Sequence, residues 1–374
     1  MRVALVHYWL VKMRGGEKVL ESLCRLYPQA DIYVNVLDTD RISELIASHR
    51  IETTFINSLP FASKLYKNYL PLMPIALEHL DLRGYDLVIS SESGPAKGVI
   101  VPPEAMHICY CHSPMRYIWN MYHDYRQRVG LFKKIIMPPF AHYLRMWDSI
   151  TATRVHHFVA NSSGVSRRVE AYYGRKADVI YPPVDVSSFQ PAPASEVGDH
   201  YLMVGELVPY KRPDLAIEAF NLTGKKLIVI GEGEMERRLR MISSPNITFM
   251  GRQPFDVLRQ HYARCKAVIF PGEEDFGIVP VEALASGRPV VAFGKGGATE
   301  TIEEGRSGVF FREATVKSLI DAIERLDNID IDPVDLVQKA SQFNIDRFER
   351  SFGNYVGKKM EEHKVSVPPY RADW

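Results

Sequence analysis

The chain has 374 residues, 46% apolar and 24% charged, ordinary for a soluble globular protein but long for a single core. Its formal net charge of +1 excludes the broad basic field of a nucleic-acid binder, and four cysteines make no disulfide framework. A reducing, cytoplasmic compartment is expected, and no stretch approaches the roughly 18 uncharged apolar residues of a membrane-spanning helix.

The opening segment MRVALVHYWLVKMRGGEKVL predicts a strand at Val3–Tyr8, and Lys12 and Arg14 interrupt the apolar run that a signal peptide would need. Gly15-Gly16-Glu17 then opens a helix, a tight turn that glycine permits. Further strands are predicted at Ile32–Val36, Leu87–Ser90, Ile108–Cys111 and Phe158–Ala160. Helical patterns separate them, the signature of βα units on a parallel sheet. Two stretches are both aromatic and basic. One is Pro60–Pro74; the other, His112–Arg154, carries seven Lys/Arg against two Asp/Glu and eight Phe, Trp and Tyr. Either they are amphipathic core helices, or they form a patch with rings at a membrane boundary and cations toward anionic headgroups.

His107, Cys109, Cys111 and His112 invite a zinc reading. Successive residues on one face of a strand lie roughly 7 Å apart. Zinc ligands must converge to about 2.0–2.3 Å from one ion. Buried strand thiols fit better, and His112, just past the strand end, falls on the ligand side of a doubly wound sheet. Asn161-Ser162-Ser163-Gly164 reads as a helix cap.

Prolines and small residues concentrate from Tyr181 to Ser195, dividing the chain into domains at 1–182 and 183–344, with the helical tail 345–374 returning to the first. The second half predicts strands at Tyr201–Val204, Leu227–Ile230, Ile247–Met250, Ala267–Phe270, Val290–Phe293 and Val309–Phe311. Two such domains facing each other would hold a ligand in the cleft at their strand ends. Glu232 and Arg252 sit in glycine turns after the second and third of these strands. A carboxylate there could accept from the N–H edge of guanine, which uracil does not offer; alternatively these turns only connect strand to helix. After the fourth strand comes Pro271-Gly272-Glu273-Glu274-Asp275-Phe276-Gly277-Ile278-Val279-Pro280-Val281-Glu282. Pro280 suits a helix first turn, so the amides around Phe276–Val279 face outward as a seat for a diphosphate. Glu274 and Glu282 flank that turn, each able to take two vicinal hydroxyls. Two Asp-x-Asp pairs, Asp38/Asp40 and Asp330/Asp332, read as solvated loop carboxylates, so no metal is expected.

The Glu274-x7-Glu282 spacing resembles the motif of the retaining GT-B glycosyltransferases of glycosyltransferase family 4, an α/β fold of two Rossmann-like domains. That resemblance implies that Glu274 contacts the donor sugar near the reacting carbon. It implies that Phe276, Gly277, Ile278 and Val279 present amides to sugar and phosphate, and that Glu282 holds the ribose. Val204–Asp214 (VGELVPYKRPD) is similar to the family's first loop in the nucleotide domain, which makes Lys211 the diphosphate cation. The family often has arginine where this chain has Glu206, so either Arg212 shares the task or the pocket is less positive. Gly16 then lies in a loop that approaches diphosphate and acceptor. HSPMRYIW (112–119) resembles a bacterial subgroup of O-antigen mannosyltransferases, in which the histidine sits beside the donor sugar. Lys97 of SSESGPAK and Arg116 become candidate acceptor contacts. The implied function is metal-independent transfer of a hexose, mannose from GDP-mannose, onto a lipid-linked or oligosaccharide acceptor in surface polysaccharide synthesis. A UDP-sugar donor, a GT-B epimerase and an inactive GT-B scaffold are the alternatives. Peripheral contact with an anionic membrane is the expected location.

Overall fold

A computed structural model describes residues 1–366. The chain divides into two compact units, residues 1–181 together with the segment from Phe348 onward, and Pro182–Arg347. Each unit is a fully parallel sheet between helices.

The first unit contains β1 (Val3–His7), β2 (Asp31–Val34), β3 (Ile51–Thr53), β4 (Leu87–Glu92), β5 (Met106–Cys111), β6 (His157–Ala160) and β7 (Ala177–Val179). They lie in the order β3-β2-β1-β4-β5-β6-β7. Strands β1, β4 and β5 are buried along their whole length, as a sheet covered on both faces requires. The short edge strands β3 and β7 were not among the expected strands. Each has three residues and neither contains a fully buried one, so no apolar run marks them. Three helices of this unit matter below: α1 (Gly15–Leu26), α2 (Leu131–Thr151) and α3 (Ser163–Tyr173). Val19, Leu20 and Leu23 of α1 pack with Leu5 and Ile89 on one face of the sheet. Each such fully buried side chain contributes roughly 1.5–3 kcal/mol.

The second unit contains β8 (Tyr201–Val204), β9 (Leu227–Ile230), β10 (Ile247–Gly251), β11 (Ala267–Phe270), β12 (Val290–Phe293) and β13 (Gly308–Phe311), in the order β10-β9-β8-β11-β12-β13. Helices α4 (Pro213–Thr223), α5 (Phe255–Arg264) and α6 (Ile278–Ala285) belong to it. Phe220, Phe311, Ile323 and Val229 anchor its core. Helix α7 (Ile345–Ser366) leaves this unit at Arg347, and its Phe348, Phe352 and Val356 enter the same core as α1.

In both sheets the strand order reverses once, between β1 and β4 and between β8 and β11. Loops diverge at such a reversal and leave a crevice at the carboxyl ends of the strands. The sequence motifs fall at these two points.

Candidate active site

In the second unit Lys211 follows β8 and Glu274 follows β11, so the reversal of strand order brings together two residues 63 positions apart. The Lys211 ammonium lies 2.8 Å from Glu274 Oε1. Burial disfavours its charged form, but Glu274, with Tyr210 and Glu206, offsets this, and its pKa is raised. Lys211 is a permanent cation at any physiological pH. Gly272 makes the approach feasible, since a Cβ there would stand 2.5 Å from Lys211 Cα. Gly205, Lys211, Phe270, Gly272 and Glu274 line a small open recess. Arg212 takes the left-handed conformation (φ 52°) before Pro213 opens α4, and its guanidinium forks onto Asp214 at 3.1–3.2 Å. Much of its charge is therefore answered within its own loop.

Gly277 precedes α6 with φ 82°, a conformation that a side chain would strain. Its N-cap residue, Gly277, has no side chain with which to cap it. Gly277, Ile278 and Val279 thus supply first-turn N–H groups at a positive dipole end, while Pro280 has none to waste. The ring of Phe276 is buried and meets Phe343 at 5.6 Å, so only its backbone faces a ligand. Glu282 stands just over one turn into α6, and Oε2 accepts a 2.7 Å bond from the Tyr262 hydroxyl of α5. Burial pushes the Glu282 carboxyl upward in pKa, which Tyr262 and Lys211 counteract. Tyr262 carries no motif signal; only its place on the neighbouring helix reveals it. Glu232 and Arg252 are exposed at the ends of β9 and β10, where Glu232 Oε1 accepts the Arg252 backbone N–H at 3.4 Å.

In the first unit Gly16 and His112 meet at the β1/β4 reversal. A Cβ at Gly16 would stand 2.8 Å from the Tyr8 hydroxyl and 3.6 Å from His112 Nε2. His112 Nε2 hydrogen-bonds Ser91 Oγ at 2.9 Å, a partner the sequence reading passed over although it lies in SSESGPAK. Burial, with His7 nearby, pushes the His112 pKa down to about 3. The imidazole is neutral, suited to hydroxyl groups rather than to anions. Arg116 is half-buried in the loop after β5.

Lys97 requires a correction. Its side chain is wholly inaccessible, with the ammonium bound to Asp148 of α2 and 3.8 Å from Glu92. Asp148 also accepts from Trp119 Nε1 at 2.7 Å and from the Tyr173 hydroxyl at 2.9 Å. A cation sealed in this way joins α2 and α3 to the end of β4 and has no surface left for an acceptor phosphate. The cysteines of the zinc motif are buried free thiols, and among the described residues no group of His, Cys, Asp and Glu could hold a metal.

Two parallel-sheet Rossmann-like domains define the GT-B class, and solved GT-B structures superpose on nearly the whole chain. The lipopolysaccharide outer core galactosyltransferase WaaB aligns with a TM-score of 0.67 at 16% identity, covering 96% of this chain and 100% of that one. Anabaena Alr3699/HepE in complex with UDP-glucose gives 0.70 at 18%, covering 95% and 99%. At such identities the likeness concerns the fold. The family "Glycosyltransferase Family 4" matches residues 13–188, and "Glycosyl transferases group 1" matches residues 189–343. The chain belongs to the glycosyltransferases that these two families describe. Among curated relatives, the GDP-mannose-dependent alpha-(1-6)-phosphatidylinositol monomannoside mannosyltransferase of Mycobacterium tuberculosis is 29% identical over 195 residues, 44% of this chain and 51% of that protein. The D-inositol 3-phosphate glycosyltransferase of Segniliparus rotundus is 31% identical over 202 residues, 45% of each. The matches span about half the length of these relatives.

Proposed function

We propose that the protein transfers a hexose from a nucleotide diphosphate sugar onto an acceptor hydroxyl, with retention and without a metal, and that the donor is GDP-mannose. The pairing of Lys211 with Glu274, in the loop that leads into the helix bearing Glu282, carries this reading. The lysine and the uncapped α6 terminus answer the diphosphate, the carboxylate of Glu274 takes sugar hydroxyls, and Glu282 takes the ribose. The acceptor oxygen attacks from the leaving-group side, and a diphosphate oxygen receives its proton, so no protein nucleophile is required. Charge growing on the departing nucleotide meets fixed donors, the largest contribution to expect in such a site. The Asp-x-Asp pairs serve their own loops: Asp38 pairs with Arg41 at 3.3 Å and Asp332 caps a helix through the Val334 amide at 2.8 Å.

GDP-mannose is favoured by the mannosyltransferase relative, and Glu232 and Arg252, adjacent at the ends of β9 and β10, are the groups we propose for reading its base. The acceptor is a lipid-linked or oligosaccharide chain of a bacterial surface polysaccharide. Titration with GDP, UDP and ADP, then turnover of the preferred nucleotide's sugars on short lipid-linked glycans, tests this. Preference for UDP or ADP refutes the donor and leaves transfer standing. Epimerised sugar nucleotide without acceptor, or no nucleotide binding, refutes transfer itself.

A peripheral membrane location is part of the proposal. Of the 23 large apolar side chains exposed on the described residues, 13 lie in segments 55–75 and 125–150. Leu70 of the first segment packs against the buried cluster that holds Ala141 and Leu144 of the second, so the two basic-aromatic stretches share one core. Rings and aliphatic chains beside Lys64, Lys67, Lys133 and Lys134 fit an anionic leaflet.

A further inference from the structure

Lys211 has two claimants. Its ammonium is 2.8 Å from Glu274 Oε1, and the same ammonium is the cation available to a diphosphate in the β8–α4 loop. Glu274 cannot simply retreat with its backbone. Its carbonyl accepts the Gly297 amide at 2.9 Å, and a Cβ at Gly296 would stand 2.4 Å from that carbonyl oxygen. The loop is packed against a second glycine turn, and the carboxylate is tethered at the recess. Glu206 adds a further negative field on Lys211, after Glu274 and Tyr210.

We propose that Glu274 makes this site discriminate between the sugar-bearing donor and the free nucleoside diphosphate, and so speeds release of the spent nucleotide. The inference rests on the transferase reading above. In the donor, the β-phosphate is esterified to sugar C1 and carries one negative charge, and a sugar hydroxyl donates to Glu274. Transfer breaks the bond between C1 and the phosphate oxygen, leaving its electron pair on that oxygen. The acceptor oxygen bonds to C1, and its proton passes to the β-phosphate. The second ionisation of a phosphate has a pKa of about 6, so this proton then goes to solvent at neutral pH. The product thus carries one more negative charge than the donor, placed where the sugar had been and facing a carboxylate. An attraction has become a repulsion. Two like charges roughly 5 Å apart in a partly exposed recess, screened by salt, change affinity by about tenfold.

Calorimetry with GDP, UDP and GDP-mannose on wild type, Glu274→Gln and Lys211→Gln tests this. Glu274→Gln should bind the preferred diphosphate about tenfold more tightly and the sugar nucleotide no more tightly, with stronger product inhibition of its residual turnover. Lys211→Gln should weaken both ligands. Unchanged or weaker diphosphate binding by Glu274→Gln overturns the inference, as does equal tightening of both ligands. A wild-type protein that binds neither nucleotide overturns the transferase reading along with it.

Discussion

If Glu282 is to hold the ribose as proposed, its carboxylate must be aimed, and the Tyr262 hydroxyl fixes one of its oxygens. Removing the acid, Glu282→Ala, should weaken nucleoside diphosphate binding by about 1.5–3 kcal/mol, the value of charge-assisted hydrogen bonds. Tyr262→Phe removes only the positioning bond and should cost about 0.5–1.5 kcal/mol in nucleotide affinity, with turnover at saturation little changed. Calorimetry with ribo- and 2′-deoxyribonucleotides separates the two roles. Wild type should prefer the ribonucleotide, and Tyr262→Phe should lose part of that preference; equal affinity for both sugars in wild type would remove Glu282 from the ribose. His107 makes a different point. It is fully buried, hydrogen-bonded to Ser90 Oγ at 2.9 Å, and burial lowers its pKa to about 3. A folded-state pKa below the unfolded value means that the unfolded chain binds the proton more readily. Stability is therefore intact above about pH 6.5 and declines as pH falls from there toward 3. At pH 5 this histidine alone should cost on the order of 2 kcal/mol. Melting temperature measured from pH 7.5 to 5 should fall, and a folded His107→Gln variant should show a shallower fall.

At the scale of elements, the strands with continuous apolar runs are legible, and so are the two loops that meet at the Lys211–Glu274 pair. Val204–Lys211 and Pro271–Glu282 announce themselves because backbone and glycine requirements are written locally. Lys97 was misread because its partner Asp148 is 51 residues away on α2, and no local pattern reveals a buried ion pair. Tyr262 and Ser91 escaped for the same reason: each acts through a neighbour that only the fold supplies. Breaking the buried pair should be severe. Lys97→Met leaves Asp148 charged and uncompensated, and should destabilise the protein by about 3–5 kcal/mol in denaturant unfolding. Helix α2 itself is divided. Its buried residues Ala141, Leu144, Asp148 and Thr151 all lie in the second half, whereas Leu131, Phe132, Ile135 and Ile136 in the first half are exposed. Vesicle sedimentation should show binding to anionic lipid that declines with salt, since each surface cation contributes about 1 kcal/mol and is screened over a Debye length. Phe132→Ser with Ile135→Ser should reduce that binding without shifting the melting temperature. Equal binding to neutral vesicles would return α2 to an ordinary amphipathic role.

At the scale of the whole molecule, no described helix is long and apolar enough to cross a membrane. Turnover should survive EDTA if, as proposed, Lys211 and the α6 terminus answer the diphosphate; a strict demand for magnesium or manganese would defeat the proposed chemistry. The route of the chain has a further consequence, for the order of assembly on the ribosome. Residues 182–347 are contiguous, so the second unit can close as soon as Arg347 emerges. The first unit begins earlier but waits longer, because Phe348, Phe352 and Val356 complete the core that Val3 and Leu5 begin. Domains usually close in the order of synthesis. Here the unit made first should be the one finished last, presenting the apolar face of α1 and β1 to chaperones while its partner is already native. A nascent chain stalled with Arg347 just outside the exit tunnel should protect the second unit from protease and leave the first open to cleavage.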